Sequence, residues 1–206
     1  MGELLKIHPQ TPQQRFIDRA VEILQNDGVI IYPTDSVYAL GCSMTSKKAL
    51  ERLARFKHID LKKARFSFIC KDLQDISQYT LTLSTKVFKI LKKNTPGPFT
   101  FILPANKSIP RMFDNSRKTV GLRIPDNKIL HFIVDQLRNP LLTTSILDED
   151  KIIEYSTDPE LIWKRYNNQV DLVIDGGYGS NIPTAIVDLT QKEVTIVREG
   201  GKDLIY

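Results

Sequence analysis

Hydroxyl, carboxylate and guanidinium side chains recur at the ends of short apolar stretches. Thr34, Asp35 and Ser36 follow Val29–Tyr32; Thr143, Thr144 and Ser145 close a second run; Arg123 precedes Pro125, and Arg198 precedes Glu199-Gly200-Gly201. In open α/β sheets ligands sit beyond the strand ends, where hydroxyls and guanidiniums can hold an anion. Each residue singly has an ordinary alternative, since Ser and Thr cap helices, Asp closes Asx-turns and Arg pairs with acids. Their joint appearance is what favours a site.

Other chemistries find less support. Neither a dinucleotide G-x-G-x-x-G nor a Walker A motif is present, and Gly176-Gly177-Tyr178-Gly179 reads as a turn after a strand. His8, His58 and His131 stand far apart, with no Ser/His/Asp arrangement and no metal-ligand spacing, so no bound metal is expected. Cys42 and Cys70 sit within or beside apolar stretches and read as packed free thiols of a reducing compartment. No apolar run reaches the ~18 residues that cross a bilayer, and Met1–Lys6 lacks a signal-peptide core, so a cytoplasmic chain without a membrane partner is expected.

The elements that must position these residues follow from periodicity. Thr11-Pro12-Gln13-Gln14 reads as a helix start, with Phe16, Ile17, Ala20, Ile23 and Leu24 at helical spacing and Gly28 as the stop. Val29–Tyr32 reads as a buried strand. Ser46 opens a helix carrying Leu50, Leu53 and Ala54, and Ser84 opens another with Val87, Phe88 and Leu91 inward. Ile129, Leu130, Ile133, Val134 and Leu137 define a further helix, and Thr157-Asp158-Pro159-Glu160 caps the last. Strands are expected over Phe66–Cys70, Phe99–Leu103, Thr119–Ile124, Leu141–Ser145, Val170–Ile174, Thr184–Leu189 and Glu193–Val197, the last two as a hairpin. Asn94–Pro98, with proline on both sides of Gly97, is a rigid loop. Helices alternating with strands, then strands clustering late, predict one α/β domain over residues 1–206 with a mixed parallel and antiparallel sheet. At 41% hydrophobic and 26% charged residues the chain can bury a proper core.

The net charge of +5 is modest, but its distribution is uneven. Arg52, Arg55, Lys57, Lys62, Lys63 and Arg65 face only Asp60 within their segment, and Lys86, Lys89, Lys92 and Lys93 form a second group; Asp148, Glu149, Asp150 and Glu154 balance them. Two basic clusters around an apolar strand suit phosphates or RNA, with Arg52, Arg55, Lys62, Lys63 and Arg65 as the candidate RNA surface. Solvated helix faces are the ordinary alternative.

Tyr32-Pro33-Thr34-Asp35-Ser36-Val37-Tyr38-Ala39-Leu40-Gly41 resembles the signature of the YrdC family of threonylcarbamoyl-AMP synthases. So do Asn94–Thr100, Val120–Pro125, Pro140–Ser145, Asp171–Gly177, Thr184–Leu189 and Ile196–Gly200, in the family's order and over nearly the whole chain. The His8-Pro9 opening and the Asp35-Ser36 version of the signature are most similar to the YciO-type branch. The resemblance implies a YrdC-like (YrdC/RibB) fold, a single twisted mixed sheet flanked by helices around a basic concave cavity. It implies ATP, L-threonine and bicarbonate as substrates, with Mg2+ accompanying ATP, and a product used to modify tRNA. By position, Lys57 and Ser145 would be catalytic. Lys57, Arg123, Ser145, Thr184 and Arg198 would bind ATP phosphates, and Thr34 and Arg123 would hold threonine. The synthases' Lys-x-Arg motif reads Lys57-His58-Ile59 here, and their Ser-x-Asn motif reads Ser145-Ile146-Leu147. Each lost donor is expected to cost roughly 2–4 kcal/mol of transition-state stabilisation, so synthesis is expected to be weak. The alternative is a double-stranded RNA-binding protein, on tRNA or rRNA, without catalysis.

Overall fold

The computed structural model describes residues 1–61, 66–110, 118–146 and 157–206. Lys62, Lys63, Arg65 and Leu147, and the acidic group Asp148, Glu149, Asp150 and Glu154, lie outside the described residues. In chain order the strands are β1 (Glu3–Lys6), β2 (Ile30–Tyr32), β3 (Ala39–Ser43), β4 (Ser67–Ile69), β5 (Phe99–Pro104), β6 (Thr119–Arg123), β7 (Leu141–Ser145), β8 (Leu172–Asp175), β9 (Ala185–Asp188) and β10 (Thr195–Arg198). The helices are α1 (Gln14–Gln25), α2 (Lys47–Phe56), α3 (Leu73–Tyr79), α4 (Thr85–Asn94), α5 (Lys128–Leu137) and α6 (Pro159–Tyr166).

The strands join in one ten-stranded sheet ordered β1-β8-β2-β3-β7-β4-β6-β5-β9-β10. Its pairings are mixed: β1 with β8, β8 with β2, β4 with β6 and β5 with β9 run parallel, and the others antiparallel. The expected α/β architecture is therefore present, with β9 and β10 as the expected antiparallel pair. Three elements were not legible. β1 and β3 have too little alternation to announce themselves, and α3 is only 7 residues long.

Local chemistry sets the helix ends. Ser46, Asp72, Ser84, Asn127 and Asp158 each accept a backbone N–H of the first turn, supplying the side-chain cap that orphaned donors need. The expected Thr11 cap is corrected. α1 starts at Gln14, because the Thr11 hydroxyl and N–H turn back to His8 Nδ1, at 2.9 and 3.1 Å. At the other end of α1, Asp27 takes the left-handed backbone (φ 61°), and the Gly28 N–H reaches the Ile23 carbonyl at 2.8 Å. Phe88, expected inward, is 42% exposed; Ile90 and Leu91 fill the core side of α4 instead.

Two apolar layers cover the sheet. On one face Ile17, Ala20 and Leu24 of α1 and Ile129, Leu130, Ile133 and Val134 of α5 pack over Ile30, Tyr32, Ala39, Leu141, Leu172 and Ile174. On the other, Leu50 and Leu53 of α2, Ile90 and Leu91 of α4 and Ile162 of α6 pack with Leu40, Phe68, Phe101, Leu122, Leu142, Val173 and Val187. Both cysteines are free and buried in the second layer, as expected of packed thiols, and burial pushes the Cys42 thiol up to about 12. Past β10 the chain returns to α4. Asn94 donates to the Ile205 carbonyl at 2.8 Å and accepts its N–H at 2.9 Å. Among the described residues no helix is long and apolar enough to cross a membrane.

Gly41 is the tightest joint in the sheet. A Cβ there would stand 2.3 Å from the Leu142 carbonyl oxygen and 2.6 Å from the Tyr32 hydroxyl. The first contact is to backbone and cannot rotate away. Gly41→Ala is expected to destabilise the fold by about 3 kcal/mol or more in urea denaturation, and Tyr32→Phe should not rescue it.

Candidate functional site

Strand register divides the sheet's α1/α5 face into a covered and an open half. Gly41, Thr143, Ser67, Gly121 and Ile102 pair successively across β3, β7, β4, β6 and β5, so they share that face with Tyr32. Two residues back from Ile102 stands Thr100, paired with Ile186 of β9, and two residues back from Ile186 stands Thr184. Side chains alternate along a strand, so Phe68, Leu122, Phe101 and Val187 point to the opposite layer, where all are buried. On the shared face Ser67, Ile102, Gly121 and Ile186 are only partly buried. Among the described residues the α1/α5 layer runs across this face from β1 as far as Ile69 of β4 and includes no residue of β6, β5 or β9. Ile102 and Ile186 share this floor with Gly121 and the Ser67, Thr100, Thr143 and Thr184 hydroxyls; Thr100, Thr143 and Thr184 are buried, and Ser67, Gly121, Ile102 and Ile186 form its accessible part.

One wall of that floor is the loop after β2. The Tyr32 ring crosses above Gly41, its hydroxyl donating to Thr143 Oγ1 at 2.8 Å, and burial raises its pKa. Thr34 Oγ1 donates to the Val37 carbonyl at 2.8 Å and accepts the Ser36 N–H at 3.0 Å, a closed ST-turn that fixes the loop. Asp35 reaches Arg123 at the end of β6: Arg123 Nη2 lies 2.6 Å from Asp35 Oδ1 and 3.4 Å from Ser36 Oγ. The second Asp35 oxygen accepts the Asp126 N–H at 2.9 Å. Both charged side chains are buried, at 7% and 8% exposure. Arg123 Nε is also buried and has no acceptor among the described residues.

The loop after β8 braces the first. Ser180 N–H donates to the Ser36 carbonyl at 3.2 Å, and the Tyr38 hydroxyl donates to the Gly177 carbonyl at 2.7 Å while accepting the Gly176 N–H at 3.3 Å. Burial raises the Tyr38 pKa, which keeps that hydroxyl a donor. The glycine-rich segment is thus a brace; Gly177 takes φ 94°, which suits glycine.

A second group lies across the floor at β9. Thr184 is buried, its hydroxyl 3.2 Å from that of Thr100, and Arg198 donates to the Thr184 carbonyl from Nε and Nη2 at 3.1 and 2.8 Å. The candidate residues therefore fall into two clusters, Thr34–Ser36–Arg123 and Thr100–Thr184–Arg198. Ser145 is exposed at the end of β7, on the Thr143 side of the floor. Lys57 is the C-cap of α2 and half-buried. The next residue, His58, takes the left-handed backbone (φ 51°), and Ile59 is 36% exposed and closes the turn by its N–H to the Ala54 carbonyl. Of the candidate RNA surface, Arg55 is exposed, whereas Arg52 is paired with Asp171 at 2.8 Å. Asp35 as the partner of Arg123, and the Ser67–Gly121–Thr100 floor, were not among the expected site residues. Small or polar residues at positions where a core strand carries aliphatics were the signal available for the floor.

Comparison with known proteins places this geometry. Residues 22–200 match the model of the Sua5/YciO/YrdC family, described as "Telomere recombination". The chain belongs to this family. The uncharacterised protein YciO of Escherichia coli (strain K12) is 42% identical over 205 residues, covering 99% of this chain and 98% of that one. The crystal structure of E. coli YciO superposes with a TM-score of 0.90 at 43% identity and 98% coverage of both chains. The threonylcarbamoyl-AMP synthase of Coxiella burnetii (strain RSA 493) is 27% identical over 179 residues, covering 86% of this chain and 95% of its own. P. abyssi Sua5 complexed with L-threonine shares the fold, with a TM-score of 0.85 at 19% identity, over 97% of this chain and 58% of that one.

The Asp35–Arg123 pair makes a direct test of the site's electrostatics. Removing one member strands a buried charge, which typically costs about 3–5 kcal/mol. Asp35→Ala is expected to lower stability on that scale by urea denaturation, and Asp35→Ala/Arg123→Met should lose less than Asp35→Ala alone.

Proposed function

We propose that the chain is a nucleotide-binding member of its family with weak L-threonylcarbamoyladenylate synthase-type activity, acting on ATP, L-threonine and bicarbonate. The observation that carries this reading is the buried Arg123 guanidinium, fixed by Asp35 beside the Thr34 and Ser36 hydroxyls at the rim of the open half of the sheet face. A buried cation with an unused N–H suits an anionic substrate. The names of the Coxiella relative and of the Sua5 complex point to threonine and an adenylate as that substrate's chemistry.

In this reading Thr34 and Arg123 hold the amino acid. Lys57, Arg123, Ser145, Thr184 and Arg198 hold the nucleotide phosphates, Arg123 standing between the two substrates. The threonine amine condenses with bicarbonate to a carbamate with loss of water. The carbamate oxygen then attacks the α-phosphorus as pyrophosphate leaves, and fixed cations and hydroxyls stabilise the negative charge that builds on the phosphorus-bound oxygens. Among the described residues no group of three or more His, Cys, Asp or Glu gathers to hold a metal. A divalent ion would therefore enter on the triphosphate, as part of the substrate. Ile59 removes one cation from the synthase pattern, which supports slow turnover.

The decisive measurement is pyrophosphate release from ATP that depends on both threonine and bicarbonate. Turnover is expected, and Lys57→Ala should reduce it by about a hundredfold. No turnover above the Lys57→Ala level would remove the synthase assignment.

A second reading, binding of double-stranded RNA such as tRNA or rRNA, rests on the exposed lysines of α4. Lys86, Lys89 and Lys92 face outward and form no ion pair among the described residues. Neutralised phosphates release counterions, so log K should fall linearly with log salt. Charge reversal of those three lysines should flatten the slope by about three units. RNA binding insensitive to salt, or none at all, would discard this reading.

A further inference from the structure

Gly121 sits in the middle of a central strand and has no conformational reason to be glycine. Its backbone is not left-handed. A Cβ there would stand 2.8 Å from the Ser67 hydroxyl, 3.4 Å from Ser67 Cβ and 3.5 Å from Thr100 Cγ2. The only tight contact is with a hydroxyl that a χ1 rotation can move. Glycine within a strand costs conformational entropy and packing, and it commonly marks close approach by a ligand or another chain. Here the three nearest atoms, all within 3.5 Å, belong to the Ser67 and Thr100 side chains and none is backbone.

The missing side chain leaves a saddle in the floor. Thr143 and Ser67 stand on one side of it, and Thr100 and Thr184 on the other. With strands about 4.8 Å apart, the four steps from β7 to β9 span about 19 Å, the length of an extended nucleotide rather than of an amino acid. A stripe of small residues would not by itself make a site. The second observation is Arg123, two residues along β6 on the same face, 6% exposed with its Nε unpartnered among the described residues. A phosphorylated ligand crossing the strands at Gly121 passes beside that guanidinium.

We infer that Gly121 is a specificity-determining residue: its lack of a side chain lets the nucleotide's phosphate chain lie flat across β6 between Ser67 and Thr100. This rests on the nucleotide-binding reading above and extends it, fixing where and in which direction the ligand runs. The same placement predicts that the Ser67 and Thr100 hydroxyls flank the phosphates as donors.

The test separates a local clash from a lost ligand path. Calorimetric titration of ATP with L-threonine present is made on the full chain, on Ser67→Ala, on Gly121→Ala and on Ser67→Ala/Gly121→Ala. Ser67→Ala removes the one atom that a Cβ at position 121 would crowd, so the double variant should melt within about 3 °C of Ser67→Ala. It should nevertheless bind ATP about tenfold or more weakly than Ser67→Ala, because the added methyl occupies the ligand's path. Equal binding by Ser67→Ala and the double variant would overturn the inference, the glycine then serving only the Ser67 hydroxyl. Absence of ATP binding by the unaltered chain would instead defeat the nucleotide reading itself, and this inference with it.

Discussion

The buried pair of Asp35 and Arg123 is the constraint on which the site depends. A carboxylate and a guanidinium removed from water attract strongly, but they gain little net stability once desolvation is counted. What the pair supplies is position. It fastens the loop after β2 to the end of β6, on strands separated in the sheet by β3, β7 and β4. The same carboxylate takes the Asp126 N–H just ahead of α5, so loop, strand and helix meet at one residue. Tyr32 and Tyr38 secure the flanks of that junction through Thr143 and the Gly176–Gly177 backbone. Among the described residues Arg123 Nε has no acceptor, so the junction leaves one buried donor unsatisfied.

The architecture around this junction follows from asymmetry between the two faces of one sheet. On the α2/α4/α6 side the strands carry Phe68, Phe101, Leu122, Leu142 and Val187, and helices seal them. On the other side the α1/α5 layer ends at Leu141 and Ile69, and Ser67, Gly121, Thr100 and Thr184 follow, with Ile102 and Ile186 among them. Helices bury sheet faces that are apolar. With only Ile102 and Ile186 as aliphatics, that half of the face offers α1 and α5 less apolar area to bury, and they pack on the other half. The cleft is thus written as a change of composition at fixed strand parity.

Much of this could be read from the chain. The 3.6-residue spacing in α1, α2, α4 and α5, and the buried runs of β2, β7 and β8, follow directly from apolar pattern. The failures have separate physical causes. Thr11 looked like a cap but was claimed by His8 Nδ1, a local hydrogen bond that spacing does not reveal. Phe88 lies on the solvent side because Ile90 and Leu91 already occupy the core side. β3 escaped notice because Ala39-Leu40-Gly41-Cys42-Ser43 has no β-branched or aromatic residue and so forms no apolar run like that of β2. At the site, Thr34, Arg123, Thr184 and Arg198 were legible as hydroxyls and cations near strand ends. Their division into two clusters was not, since it depends on which strands become neighbours.

The same dependence explains why the floor was invisible and why it matters. Ser67, Gly121 and Thr100 are remote in sequence and unremarkable one by one; register alone sets them side by side. A strand that buries one face and opens the other needs apolar side chains only at alternate positions. The remaining positions are then free to carry chemistry without cost to the core. In β6 this division is complete within five residues: Val120 and Leu122 hold the sheet to its helices, while Gly121 and Arg123 shape the opposite face. Motif order along the chain is therefore a shadow of strand order in space. The side chains open to a ligand are those whose parity points away from the sealed layer, and a change at an exposed loop position such as Ile59 leaves that parity untouched. Register thus maintains the shape of the open face, while single side chains set the chemistry placed on it.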